Sequence, residues 1–274
     1  MRIHNANMGR LGNSIYRLFA NIVFCIVYDI NSTIINNSNC SPTIIVHDKY
    51  FINFSNNILN NQQIINIDKN AILLFNGYFQ HDKIYTSFKP QIIDFIKTHP
   101  EIILTTDHND NYKAIDLVNF EICNKYTIVV HLRLEDFIEI SHVINPNSIK
   151  KILDEIILDY PNEPVCFVLN SPKTELEIKY IKYLTDNLSC FKIETNDVIT
   201  DFTIMRTAKV LVCSCSTLSW AASLLSETVE KVYMPNYNNP DRIHETFRRP
   251  ISNTVLYEFD KCSKEQLSDI LNNT

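Results

Sequence analysis

Three short stretches place residues able to hold an anion where the chain turns out of an apolar run. In "VVHLRLED" (129–136) a β-rich run ends at His131 and Arg133. In "VCSCSTLSW" (212–220) a strand-like run passes through Ser214, Ser216 and Thr217 into a helix-like one. Backbone N–H groups and hydroxyls at such a helix start form an anion site. An arginine on one loop and hydroxyls at a helix N-terminus on another can clamp a diphosphate from two sides. The third stretch, "MGRLGN" (8–13), holds Gly9 and Gly12, two of only three glycines in 274 residues. Average usage would give roughly nineteen. Glycine permits close approach of a backbone to a ligand, and the third, Gly77, lies in "FNGYFQ".

Each stretch also has a purely structural reading. Two glycines three apart make a tight turn. His131 can be a hydrogen-bonded strand-end histidine, and Arg133 an ion-pair partner of Glu135 or Asp136. Serine-rich strand-to-helix turns serve as N-caps. Cys213, Cys215 and Trp220 read as packing residues.

The elements that must carry these loops alternate regularly in the second half. "KYTIVVHL", "PVCFVLN", "KVLVCS" and "KVYMP" read as strands. Between them, "PNSIKKILDEIILDY" shows a helical stripe of Ile149, Ile152, Ile156 and Ile157. "TELEIKYIKYLTDNL" opens with Thr174 and Glu177 in capping-box spacing. "DFTIMRTA" and "LSWAASLL" complete the set of helices. That β-α-β-α-β-α-β order predicts a parallel sheet with crossover helices. In the first half a helix from Ser14 to about Tyr28 precedes β-like runs at "TIIVHD", "QIINID" and "AILLFN", and another helix follows near "PQIIDFIKTH". "TTDHNDNYKA" (105–114) reads as loop, with a domain junction near residue 120. Open α/β sheets bind ligands at the carboxyl ends of their strands, which is where the three stretches fall.

Composition narrows the classes. Apolar residues make up 45 % of the chain, enough for a substantial core, and a net charge of −6 argues against a general nucleic-acid binder. There is no run of eighteen apolar residues, so no integral membrane segment is expected, and Arg10 and Arg17 stand where a secretory signal would be apolar. The eight cysteines lack a Cys-x-x-Cys pair or a zinc-like spacing, which reads as free thiols in a reducing cytosol. A Gly-x-Gly-x-x-Gly dinucleotide fingerprint and a P-loop are both absent.

Four stretches together resemble one family. "GRLGNSIYRLFA" is similar to the Gly-Gly-Leu-Gly-Asn-Gln start of the α1,2-fucosyltransferases (glycosyltransferase family 11), and its Gly-Arg-x-Gly-Asn form also to protein O-fucosyltransferases. "FNGYFQHDKIYTSFKPQIIDFI" resembles their Gly-Tyr-Phe/Trp-Gln segment, and "HLRLEDF" their His-x-Arg-Arg-Gly-Asp-Tyr motif. "DFTIMRTAKVLVCSCSTLSWAASLL" is similar to the motif with core Asn-Ser-Thr-Phe-Ser-Trp-Trp-Ala. The resemblance runs from residue 8 to about 236, in the family's order.

The resemblance implies a GT-B-like α/β fold of two Rossmann-like lobes with a donor-binding cleft. An acceptor-side lobe would cover 1–120 and a nucleotide-sugar-binding lobe 121–274. It implies an inverting, metal-independent transfer of a sugar, L-fucose from GDP-fucose as the leading donor, to a hydroxyl of a glycan acceptor. No cofactor beyond the nucleotide-sugar is expected, and no metal site. Arg133 would stabilise the leaving diphosphate, with Ser216, Thr217 and Ser219 as hydroxyl and helix-start contributors. His131 would orient the nucleotide, and Gly9, Arg10, Gly12 and Asn13 would line the donor–acceptor junction. Asp136 would act as catalytic base or hold Arg133 in place.

The chain departs from the pattern at several points. Leu134 replaces the second arginine, Glu135 the glycine and Cys215 an asparagine. Asn170-Ser171-Pro172 stands where relatives carry a carboxylate turn able to read guanine N–H groups. An amide at Asn170 can still bond a base but loses the charge-assisted preference for guanine. A UDP-sugar donor, or a silent nucleotide- or glycan-binding protein, are therefore the alternatives. The acceptor and the oligomeric state are left open, and "NNPDRIHETFRRP", with Arg242, His244, Arg248 and Arg249, reads as a solvated loop that could touch phosphate. With no anchor in the chain, a cytoplasmic enzyme is expected.

Overall fold

A computed structural model describes residues 2–5, 10–30, 33–35, 42–68, 70–99, 125–236 and 249–272. Two compact units divide the chain, Met1–Glu121 with Asn238–Arg248, and Ile122–Tyr237 with Arg249–Thr274.

The first unit is built from β1 (Arg2–Asn5), α1 (Leu11–Tyr28), β2 (Thr33–Ile35), β3 (Ile44–Val46), α2 (Asp48–Leu59), β4 (Ile72–Phe75), α3 (Asp82–Ser87) and α4 (Lys89–Thr98). Its four described strands are all parallel, in the order β2-β1-β4-β3. Helix α1 has the length and hydropathy of a membrane span, yet most of it is buried inside the unit. Its Phe24 ring lies 4.2 Å from that of Phe54 and 5.1 Å, edge-on, from that of Phe75, contacts that reward burial beyond area alone. Asn21, wholly buried in α1, donates from Nδ2 to Asn5 Oδ1 at 2.8 Å and ties the helix to the end of β1. The helix closes at Asp29, in a left-handed conformation (φ 50°).

One expected strand is not formed. "QIINID" carries no ladder pairing; Ile65 is 64 % exposed, and its carbonyl accepts the Tyr28 hydroxyl at 2.8 Å instead of a neighbouring strand.

The second unit runs β5 (Ile128–His131), α5 (Glu135–Glu139), β6 (Val143–Ile144), α6 (Pro146–Asp159), β7 (Val165–Val168), α7 (Glu175–Thr185), β8 (Phe191–Glu194), α8 (Val198–Thr207), β9 (Val210–Val212), α9 (Thr217–Leu225), β10 (Lys231–Pro235), β11 (Thr254–Tyr257), β12 (Lys261–Cys262) and α10 (Lys264–Asn272). Strand β8, between α7 and α8, is an addition to the expected alternation. The main sheet is parallel throughout, in the order β8-β7-β5-β9-β10-β11. Counting its strands along the chain gives 3-2-1-4-5-6, the doubly wound Rossmann-like order. β5, β7 and β9 are buried along their whole length, as expected of parallel strands covered on both faces. The helical stripe of α6 buries Ile149, Ile152, Leu153 and Ile156, with Ile157 at its margin. α7 has the predicted capping box, with Thr174 Oγ1 accepting from Glu177 N and Glu177 reaching back to Thr174 N. The short strands β6 and β12 pair antiparallel apart from the main sheet.

Candidate functional site

Strand order alone locates the site of the second unit. Connections from β5 run one way along the sheet and those from β9 the other, so the loops leaving these two neighbours diverge and leave a crevice at their carboxyl ends. His131 is the last residue of β5, and Ser214 follows β9. Their Nδ1 and Oγ share a hydrogen bond of 2.8 Å, both groups buried. Burial lowers the His131 pKa to about 4, so its imidazole is neutral at physiological pH. A neutral ring held by Ser214 can orient a ligand but brings no positive charge to a diphosphate.

A positive charge stands nearby on Arg133, two residues beyond β5. Its Nε donates to Asp136 Oδ1 at 3.1 Å and its Nη2 to Asp136 Oδ2 at 3.0 Å. The guanidinium stacks 5.4 Å from the centre of the Phe137 ring. Among the described residues Nη1 donates to no group in this arrangement, and it is the end open to an anion. Both oxygens of Asp136 are engaged by Arg133, the geometry of a partner that fixes an arginine fork. The ion pair anticipated for Arg133 thus exists, and it does not involve Nη1.

Across the crevice α9 opens at Ser216, whose Oγ accepts from Leu218 N at 3.3 Å. Ser216 is therefore an N-cap, and Thr217 stands at the first helical position, both half-buried. Ser219 is fully buried, and its Oγ donates to Ser216 O at 3.2 Å. It supports the turn from beneath and does not line its surface. Trp220 and Cys213 are core residues.

A third wall comes from β7 and α8. Asn170, exposed just after β7, donates from Nδ2 to Glu135 Oε2, and Lys173 Nζ lies 3.1 Å from Glu135 Oε1. Asn170 thus sits in the crevice, engaged by Glu135. His131, Arg133, Glu135, Asn170, Leu218 and Asp201 line one pocket. Sequence reasoning does not single out Asp201. It lies in the first turn of α8, 5 % exposed, and its Oδ1 accepts from Asn196 N and Nδ2, both at 3.3 Å. Burial raises its pKa to about 6. The one signal in the sequence is a carboxylate in the first turn of α8, just after the Asn196-Asp197 turn.

The first unit gathers its own strand-end residues. Asn13 lies in the first turn of α1, after β1, and Gln80 follows the neighbouring strand β4; Gln80 Nε2 donates to Asn13 Oδ1 at 3.1 Å. Gly12 is buried and Arg10, the N-cap residue, exposed. Gly77 has a specific reason to be glycine: a Cβ there would lie 2.6 Å from Asp48 Oδ2. The Asp48 carboxylate is fixed, accepting from Tyr78 N at 3.2 Å and from Phe79 N at 2.6 Å. Gly9, Arg242, His244 and Arg248 lie outside the described residues, as do the 105–114 stretch and the junction near 120.

The sequence matches no protein-family model and no curated protein. Among solved structures the chain is similar to POFUT1 in complex with GDP, at 12 % identity over 84 % of this chain and 96 % of that one, with a TM-score of 0.46. It is similar to E. coli heptosyltransferase WaaC with ADP at 9 % identity over 100 % and 97 % of the two chains, TM-score 0.48. It is also similar to an Arabidopsis thaliana FUT1 mutant in complex with GDP, at 10 % identity over 88 % and 71 %, TM-score 0.41. Likeness at this level bears on neither substrate nor mechanism, which have to come from the side chains.

Proposed function

We propose that the protein is an inverting, metal-independent glycosyltransferase that takes L-fucose from GDP-fucose to a hydroxyl of a glycan. One observation carries the reading: the guanidinium of Arg133 and the N-terminus of α9 stand at the switch point between β5 and β9. Departure of a nucleoside diphosphate places negative charge there as the glycosidic bond breaks. A fixed arginine edge and a helix start can stabilise that charge. The four family-like stretches converge on these loops and on the Asn13–Gln80 pair of the first unit, to which we assign the acceptor side.

Asp201 supports guanine as the base. Guanine presents two adjacent N–H donors, N1 and N2; Asp201 Oδ1 is held by Asn196, which leaves Oδ2 as a charged acceptor for them. It supplies in the same pocket the carboxylate missing at Asn170-Ser171-Pro172. In this reading Asp136 holds Arg133 and is not the base.

The test is a thermal-shift panel of GDP, GDP-fucose, UDP and UDP-sugars, with and without chelator, followed by sugar-transfer assays. A ligand at a hundred times its Kd adds about 2.7 kcal/mol of stability. GDP and GDP-fucose should stabilise the wild type with or without chelator. Arg133→Ala should bind them weakly and lose about 10²–10³-fold in turnover, with little change in unliganded stability, because Asp136 is 42 % exposed. Stabilisation by uridine nucleotides alone would move the reading to another donor, and binding without turnover to a silent scaffold.

A further inference from the structure

Glu135, the residue after Leu134, has a backbone φ of 21°. Side chains with a Cβ rarely hold positive φ, and glycine is the residue that takes it freely. The loop carrying Arg133 therefore depends on a conformation that its own sequence resists. Something outside the loop has to hold it.

The hydrogen bonds identify the holder. Glu177, in the first turn of α7, is 3 % exposed. One carboxylate oxygen, Oε2, accepts from Lys173 N and Thr174 N, each at 2.7 Å, and from Thr174 Oγ1 at 2.9 Å. The other, Oε1, accepts from Glu135 N at 3.2 Å. A single buried carboxylate thus caps α7 with one oxygen and grips the strained residue of the arginine loop with the other. Lys173 and Asn170, on the same β7–α7 turn, hold the Glu135 side chain from outside.

We infer that Glu177 is a positioning residue for Arg133, standing in for the glycine that this loop lacks. This rests on the nucleotide-sugar reading above, since Arg133 must meet a diphosphate for its placement to matter. The two functions of Glu177 can be separated by chemistry. In Glu177→Gln the amide oxygen can stay on the cap, because glutamine serves a capping box as glutamate does. The NH₂ group then faces Glu135 N, donor against donor, and the grip is lost. In the double variant E177Q/E135G, glycine adopts positive φ with no grip at all.

GDP affinity by calorimetry and amide exchange across 134–138 test this together. E177Q should melt near the wild type, exchange faster across 134–138, and bind GDP about tenfold more weakly, the scale of one lost hydrogen bond to a buried group. E177Q/E135G should regain most of that affinity. GDP binding by E177Q within twofold of wild type, or a double variant as weak as E177Q, overturns the inference. If E177Q does not fold, Glu135→Gly against Glu135→Val decides it. Both lack the contacts to Lys173 and Asn170, so the glycine variant should bind GDP about tenfold more tightly than the β-branched valine one; equal affinities overturn it. A wild type that binds no nucleotide removes the functional reading and this inference with it, whereas binding by wild type and E177Q alike removes this inference alone.

Discussion

In the first unit, the elements that follow neighbouring strands β1 and β4 meet through neutral amides, Gln80 Nε2 on Asn13 Oδ1. In the second, the segments after β5 and β7 meet through charge, Lys173 on Glu135 and Glu177 gripping Glu135 N, beside the Arg133–Asp136 pair within the segment after β5. Both sheets are parallel, and both meeting places lie at the carboxyl ends of neighbouring strands. The glycines follow the same division. Gly77 is needed because Asp48 fills the space where its Cβ would go. The second unit has no glycine anywhere, and a residue at positive φ there is held by hydrogen bonds and ion pairs. Gly77 thus marks a close approach, and the approaching group is the protein's own carboxylate.

The largest effect that could break this comparison is expected at Gly77. Alanine there must displace Asp48 from Tyr78 N and Phe79 N, and Phe79 itself sits at φ 53°. We expect a loss of about 2–4 kcal/mol, from overpacking and two unmade hydrogen bonds. Removing the carboxylate in G77A/D48A should recover part of that loss, a coupling readable in a double-mutant cycle by chemical denaturation. A fully additive cycle would show that Asp48 is not what requires glycine.

A smaller effect concerns the acid limb of stability. The folded pKa of His131, about 4, lies below its unfolded value of 6.5. Between these values the unfolded chain binds the extra proton, so stability falls as pH drops from about 6.5 to 4. The full change is on the order of 3 kcal/mol. His131→Asn should flatten that limb in urea titrations at pH 4 to 7, whatever it does to stability at pH 7. An unchanged slope would place the imidazole in contact with water.

These residues also show what can be read in the sequence and what cannot. β5, β7, β9 and β10 are legible because buried parallel strands read as unbroken apolar runs, and α6 and α7 because their stripes and cap are local. β8 is not: "FKIE" leaves Phe191 and Ile193 exposed at the sheet edge, so burial imprints no pattern on it. "QIINID" has the composition of a strand, but pairing is decided by neighbours far along the chain. His131, Arg133 and Ser216 are recognisable because strand-end positions follow from the runs before them. Glu177 announces only its cap, since its grip on Glu135 spans 42 residues. Asp201 owes its burial and its partner to the Asn196 turn that leaves β8, and a strand without a pattern hides the turn as well.

Asp201→Asn is the smallest of these effects and the one with opposite signs in two measurements. The folded pKa of Asp201, about 6, lies above the ordinary aspartate value of 3.8, chiefly through burial. Between pH 4 and 6 the folded state binds the extra proton, so this group lowers stability as pH rises through that window, opposing His131. Above pH 6 the cost of the buried charge is fully present. Asparagine removes it and can still accept from Asn196, so D201N should be more stable by roughly 1–2 kcal/mol at pH 7.5 and unchanged near pH 4. The same variant should bind GDP more weakly at pH 7.5, because its one oxygen is kept by Asn196 and its NH₂ turns an uncharged donor toward the two guanine donors. Wild-type affinity for GDP should fall below pH 6 as the carboxyl protonates. Gain in stability with loss of affinity is the mark of a charge kept for a ligand; loss of both would make Asp201 a structural acceptor for the Asn196 turn.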